Sequence, residues 1–198
     1  MNGCRQAGVW QSIHEAILRR LREYDQIAWD RACIDAASVP SPRGGEYTGR
    51  HPTDRGKLRS KHHILVDQRG LPLVAQISGA QVHDSRLLIP IMEAISAVKG
   101  LPSRPRKRPG KLHADCAYSS RAYRAWLLRR GIAARIARYG VESRERLGRW
   151  RWVVERILGW LHRFRRLRIR YERRTDIRQA FLLLACSLIC WRYVDRYC

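Results

Sequence analysis

The chain reads as an α/β protein, a mixed sheet flanked by helices. Three observations carry that. Short β-branched or apolar runs alternate with longer segments of helical period, giving the order β, β-β, α, β, α, β, α, α after a first helix. Two of the strands lie back to back around a turn sequence. The length of 198 residues, with 45% hydrophobic residues and seven Trp, is enough for one domain with a substantial core.

Trp10, Ile13, Ile17, Leu21 and Tyr24 recur at helical spacing among Arg19, Arg20 and Arg22, so residues 10–24 form an amphipathic helix that must dock on something. Residues 31–35 (RACID) read as a first strand, and the Gly/Pro-rich stretch from Val39 to Lys57 as a loop. His62–Val66 and Leu71–Ile77 are two strands joined by the turn Asp67–Gly70. His83-Asp84-Ser85 opens a helix running to about Val98, with Leu87, Leu88, Ile91 and Ile95 on its inner face. Lys99–Lys111 is a basic, proline-broken connection. Leu112–Asp115 is the next strand, Ser119–Arg130 a helix and Ala133–Ile136 a short strand. A long helix spans about Glu145–Arg168, and Thr175–Tyr193 closes the chain as an apolar helix.

The net charge of +23 and pI near 11.1 imply a polyanionic partner, nucleic acid above all, because each neutralised phosphate releases condensed counterions. A membrane is the weaker alternative: the longest apolar run, Ala180–Trp191, has 12 positions, against roughly 20 for a spanning helix. MNGCRQAGVW has no apolar signal region, so a cytoplasmic, nucleoid-associated protein is expected. The six cysteines form no CxxC pair and no zinc spacing, which suits reduced thiols.

Acidic residues are scarce, 17 against 40 basic ones, yet Asp35, Asp115 and Glu155 sit in apolar surroundings. An unpaired buried carboxylate costs roughly 3 kcal/mol or more. Each also has a structural use: Asp35 in a turn, Asp115 as a helix cap, Glu155 paired with Arg151 or Arg156. Together they suggest two strand-end aspartates and a helical glutamate converging on divalent cations, the oxygen-ligand chemistry that cleaves phosphodiesters with two ions about 4 Å apart. Arg151, Glu155, Gly159, His162 and Arg166 form one stripe of the long helix, with room at Gly159 for a phosphate. Val154, Ile157, Leu158, Leu161 and Phe164 form a second stripe facing the core.

The ordered set IDAASV, PTDRGKLRSKHHILVDQRGLPL, SGAQVHDS, KLHADCAY, RRGIAARIARYG and ERLGRWRWVVERILGWLHRFRRLRIRYERR resembles DDE transposases of bacterial insertion sequences, specifically the insertion-sequence-five group of the insertion-sequence-four superfamily. The resemblance covers nearly all of residues 29–193. It implies an RNase H-like fold with Asp35 and Asp115 as the catalytic aspartates and Glu155 as the glutamate on a long C-terminal helix. It further implies two Mg²⁺ or Mn²⁺ ions held by those three residues, and cleavage and strand transfer of double-stranded DNA by a homo-oligomer. Residues 1–28 then hold the last helix of a DNA-reading domain, in a second reading frame or a truncated copy. Gly148 and His162 stand where the superfamily has Tyr and Lys, and Cys116 and Ser119 where the group has Lys and Asp.

Phosphate contact is expected from Arg151, His162, Arg163, Arg165, Arg166 and Arg170, and from the loops Arg50–Lys61 and Arg104–Lys111. His83 and Asp84 match a supporting position, Asp84 also serving as a helix N-cap. A catalytically inactive basic DNA-binding fragment and a related RNase H-like nuclease are the competing readings.

Overall fold

The computed structural model describes residues 3–95, 108–138 and 144–198, with side chains described from residue 8 and, in the last segment, from residue 150. The sheet is built on β1 (Ala32–Pro40), which pairs antiparallel with β3 (Leu58–Asp67) and parallel with β5 (Lys111–Ala114). Beyond β3 lies antiparallel β4 (Pro72–Gly79), with the two-residue β2 (Gly49–Arg50) pairing the start of β3. Beyond β5 lies parallel β6 (Ala133–Ile136). Three antiparallel strands followed by two parallel ones, with the first strand in the middle, form the expected RNase H-like mixed sheet.

Successive side chains on a strand point to opposite faces, and this alternation divides the core in two. Ile34, Leu65, Leu73 and Leu112 pack with Leu18 and Leu21 of α1 (Gly3–Glu23), with Leu88, Ile91 and Met92 of α2 (Leu88–Glu93), and with Leu127 of α3 (Arg121–Arg129). Cys33, Ile64, Val66 and Ile77 face the other way, onto Val153, Val154, Ile157 and Leu161 of α4 (Arg144–Leu161) and Leu167 of α5 (Arg165–Arg168). Asp35, two residues after Cys33, therefore shares the α4 face. The apolar stripe expected on the long helix is the one that is buried.

α6 (Thr175–Tyr197) contributes Cys190 and Val194 to the first cluster and Leu182, Cys186 and Ile189 to the second. By length and composition it could cross a membrane, but here it is a core helix against which α1 docks. It also covers the β4 edge: Gln179 Nε2 donates to the Ala75 carbonyl at 2.7 Å, and His14 Nε2 of α1 lies 2.8 Å from the Pro72 carbonyl. The described cysteines, Cys33, Cys116, Cys186, Cys190 and Cys198, are free thiols.

Several boundaries differ from expectation. α1 starts seven residues earlier than Trp10. β1 runs on through Ala36-Ala37-Ser38 because β3 pairs with it as far as Pro40, so Asp35 lies mid-strand rather than at a strand end. The helix expected from His83 is a 3-10 turn, Asp84–Leu87, followed by α2. Pro90 has no N–H to bond the carbonyl of Arg86, which interrupts a continuous helix there. The continuation to Val98 and most of the basic connection 99–107 lie outside the described residues. The long helix stops at Leu161 and resumes as α5. Arg178, wholly buried, ends α5 by donating to the carbonyls of Arg166, Leu167 and Ile169.

Candidate active site

β1 and β5 run in parallel with Ala32 opposite Leu112 and Cys33 opposite His113. Continued at the same offset, that register sets Asp35 opposite Asp115, where neighbouring strands are roughly 4.8 Å apart. Asp115 directly follows β5 and its carboxylate accepts the Ala117 N–H at 3.0 Å, capping the 3-10 turn Cys116–Tyr118. The expected capping use and the position beside Asp35 are thus compatible.

α4 crosses the same end of the sheet and lowers Arg151 and Glu155 onto it. Arg151 Nη2 donates to Asp35 Oδ2 at 2.9 Å and lies 3.7 Å from Glu155 Oε1. The Arg151 and Asp35 side chains are 18% and 16% exposed, that of Glu155 55%, so two members are held and the third is free to move. Burial raises the Asp35 pKa above its ordinary value; Arg151 and the Ala36 N–H oppose that, and Asp115 adds to it. Burial likewise opposes the charge on Arg151, but Asp35, Asp115 and Glu155 together outweigh it and raise its pKa. All three carboxylates therefore act on one guanidinium. Arg151, expected to contact DNA phosphate, is committed to the acidic cluster instead.

The carboxylate oxygens are the donor set that hard divalent cations take, so the residue chemistry suits Mg²⁺ or Mn²⁺. The spacing expected for shared ions is not present: among the described residues no three His, Cys, Asp or Glu side chains stand close enough to hold one. Arg151 supplies the positive charge in their midst.

Two neighbours lie outside the site that the sequence suggests: Tyr118, which it does not single out, and Lys61, expected to contact phosphate from the first basic loop. The Tyr118 hydroxyl is buried without a hydrogen-bond partner, its pKa driven up by burial and by the charges of Asp84, Asp35 and Asp115. Its sequence signal is an aromatic three residues beyond Asp115. Lys61 Nζ donates to Asp84 Oδ1 and to the Val82 carbonyl, both at 2.8 Å. Asp84 is therefore an ion-pair partner and not the N-cap, a place His83 takes while its Nδ1 lies 2.8 Å from Ser85 Oγ. His62 and His63 are both buried, His62 against Arg178 and His63 against Ser78 Oγ. Beneath the cluster the Cys33 thiol is pushed up to about 12 by burial, which excludes a thiolate nucleophile there.

The expected phosphate-contacting residues divide. Arg163 and Arg165 are exposed, and so is Arg166, which pairs with Glu172 at 3.4 Å. Arg170 is 1% exposed, its guanidinium spent on Ser60 Oγ and the carbonyls of Tyr47, Glu172 and Arg173, so it staples the loop before β2 to the α5 region and does not face solvent. His162 is half-buried with Nε2 unpartnered. Burial, then Arg178 and Arg168, lower its pKa, which leaves it uncharged at neutral pH where a lysine would be cationic. In the first basic loop Arg59 turns to Asp54 and Ser38, leaving Arg50, Arg55 and Lys57 outward. In the second, Arg108 donates to the Arg130 carbonyl.

Residues 30–190 match the family described as Transposase DDE domain. This chain belongs to the DDE transposase domain family. A relative from Burkholderia cepacia named "Putative transposase for insertion sequence element IS402" is 49% identical over 153 residues, covering 77% of this chain and 72% of the relative. The "Insertion element IS402 uncharacterized 16.2 kDa protein" of the same organism is 41% identical over 46 residues, 23% of this chain and 31% of that protein. Among solved structures, the "Crystal structure of the Mos1 Strand Transfer Complex" aligns over 96% of this chain and 61% of its own, at 16% identity and a TM-score of 0.36. The chain thus spans about three-fifths of that solved protein.

Proposed function

We propose that this DDE-family chain cleaves DNA at the ends of an insertion sequence and joins them to target DNA, with Asp35, Asp115 and Glu155 as its metal-holding residues. The finer placement within the insertion-sequence-five group belongs to the same proposal, as does assembly of copies on DNA. The observation that carries it is the convergence of three carboxylates, from β1, the end of β5 and α4, on the single guanidinium of Arg151.

A divalent ion bound there would activate the attacking oxygen and stabilise the leaving one. The residues supply the rest. β1, in the middle of the sheet, fixes Asp35, and the turn bonded through Ala117 fixes Asp115. Glu155, more than half exposed, is the member able to close on the site. Arg151 balances the carboxylates, and once released by an arriving cation it can meet the phosphate. Arg163, Arg165 and Arg168 on the surface beyond α4 attract the DNA backbone without reading sequence.

The test is metal-dependent cleavage of an element-end duplex by the parent and by Asp35→Asn, Asp115→Asn and Glu155→Gln. Each variant should lose cleavage while keeping or raising its DNA affinity. Parent-level cleavage by any one variant removes that residue from the role. A parent chain that binds DNA and never cleaves it would be a basic DNA-binding fragment.

A further inference from the structure

α6 buries one side and leaves the other bare. Cys186, Ile189, Cys190 and Val194 are buried, and α1 docks on the same helix. The bare side carries Ile177, Phe181, Leu184, Leu188 and Trp191, followed by Asp195. Ile177, Leu188 and Trp191 are 40%, 45% and 54% exposed, while Phe181 and Leu184 are half-buried. The steps along this stripe are four, three, four, three and four, the alternation of the seam positions in a coiled coil. From Ile177 to Trp191 it runs roughly 21 Å at 1.5 Å per residue. None of its six positions is Lys or Arg in a chain that has 40 of them. The stripe thus offers little to DNA phosphate and much to another apolar helix face.

We propose that this stripe pairs with the same stripe of a second copy, the two α6 helices lying antiparallel and crossing at Leu184. The inference rests on the assembly of copies proposed above and gives it a surface. A twofold interface must be complementary to itself, and this stripe is. Ile177 and Trp191 stand seven residues either side of Leu184, so each falls opposite the other across the axis. Eleven residues out stand Arg173 and Asp195, both exposed and neither with an ion-pair partner among the described residues. Arg173 lies just before the first turn of α6 and Asp195 in its last, so opposite charges meet at both ends of the seam. A parallel pair would instead set Arg173 on Arg173 and Asp195 on Asp195. Antiparallel helix dipoles favour the same choice. An acidic partner of another kind would be drawn to the arginine-rich surfaces rather than here. Two heptads make a short seam, so the pair is weak, with a dissociation constant on the order of 10⁻⁵ M. The net charge of +23 on each copy opposes it until salt or DNA screens that charge.

Sedimentation equilibrium of the full chain tests this without DNA or metal, at up to about 200 µM protein and about 0.3 M salt, where the net charges are screened beyond roughly 6 Å. The parent should be a monomer–dimer mixture. Leu188→Asp, which puts a charge in the seam, should weaken the dimer by roughly 20-fold or more. Asp195→Arg and Arg173→Asp should each weaken it by roughly 2- to 10-fold, the mismatch being repeated at both ends. The two exchanges combined in one chain should restore the parent value within about twofold. All of these side chains are exposed, and circular dichroism checks that the variants fold. A parent that stays monomeric overturns the proposal. So does a dimer indifferent to Leu188→Asp, or a double exchange that restores nothing. A monomeric parent that floats with phosphatidylcholine vesicles would make the stripe a lipid-facing one. Because neither DNA nor metal is present, dimerisation can fail while Asp35→Asn still abolishes cleavage, or succeed in a chain that never cleaves.

Discussion

Replacing Arg151 by alanine tests the central contact of the site. Breaking a buried ion pair by removing one partner costs about 3–5 kcal/mol, since the remaining charge stays buried alone. Asp35 and Arg151 keep 16% and 18% exposure and the Ala36 N–H still serves Asp35, so the loss should be about 2–3 kcal/mol at pH 7. The arm to the exposed Glu155 adds no more than about 0.5 kcal/mol. The pH dependence fixes the cause. Burial raises the Asp35 pKa above the ordinary 3.8, so the folded chain binds that proton more tightly than the unfolded chain, and its ionisation costs stability as pH rises through that range. Without Arg151 the folded pKa climbs further, and the stability gap between parent and variant should be widest at pH 7 and shrink toward pH 4. Urea unfolding followed by tryptophan fluorescence at pH 7, 5 and 4 measures it. A gap below about 0.5 kcal/mol at pH 7, or one that widens on acidification, would refute the pairing. A divalent cation at ten times its Kd should add about 1.4 kcal/mol to the variant and less to the parent, in which Arg151 competes for the same oxygens.

An alanine at Gly159 should raise stability by up to about 1 kcal/mol through helix propensity, because a Cβ there meets no atom within 4 Å; if a phosphate approaches over that residue, DNA affinity falls at the same time. Arg170→Ala should lower stability by about 3 kcal/mol or more by orphaning buried carbonyls. Arg163→Ala with Arg165→Ala should leave urea unfolding unchanged within about 0.5 kcal/mol and reduce the salt slope of DNA binding by about 2; equal stability loss in the two cases would reverse these assignments. Histidines 14, 63 and 113 are each lowered to about 4 by burial, so stability carried by their neutral forms is complete above pH 6.5 and lost as pH falls toward 4. Asp67, raised to about 6 by burial, works in the opposite sense. A thermal scan whose melting temperature rises steadily from pH 7 to 4 would show the carboxyls dominating.

Hydrophobic period located every major element, because each strand and helix buries a face. What it mislaid were the places where tertiary contacts overrule local chemistry. Ala36-Ala37-Ser38 has little strand propensity of its own and is extended because β3 pairs along it. Nothing in WLHRFRRL marks a helix end; after Leu161 the chain tightens, Arg163 N–H donating to the Trp160 carbonyl and Phe164 N–H to the Leu161 carbonyl, and α5 in turn stops where Arg178, ten residues beyond it in sequence, captures carbonyls that a continuing helix would have used itself. Arginine in a run of arginines carries no sign of which copy turns inward, and Arg170 and Arg178 did.

The same ambiguity hid the chemistry of the site. Asp35, Asp115 and Glu155 stood out as carboxylates in apolar context within a chain poor in acid. Arg151 reads in sequence both as a helical ion-pair partner of Glu155, four residues on, and as a phosphate contact, and nothing there foretells its bond to Asp35. The packing of α4 on β1 adds Asp35 to that pair, and the register between β1 and β5 adds Asp115; no single-sequence pattern carries either. Asp35 is buried at this end of the sheet with Asp115 and Glu155 beside it, and among the described residues the cation on which all three act is Arg151. Its guanidinium balances them in the resting chain with a hydrogen bond to Asp35 and a looser contact to Glu155. A divalent ion would do so with more charge in less space, so ion binding and the freeing of Arg151 amount to one exchange. On this account the residue holding the carboxylates in register before the ion arrives is also the one made available to DNA when it does.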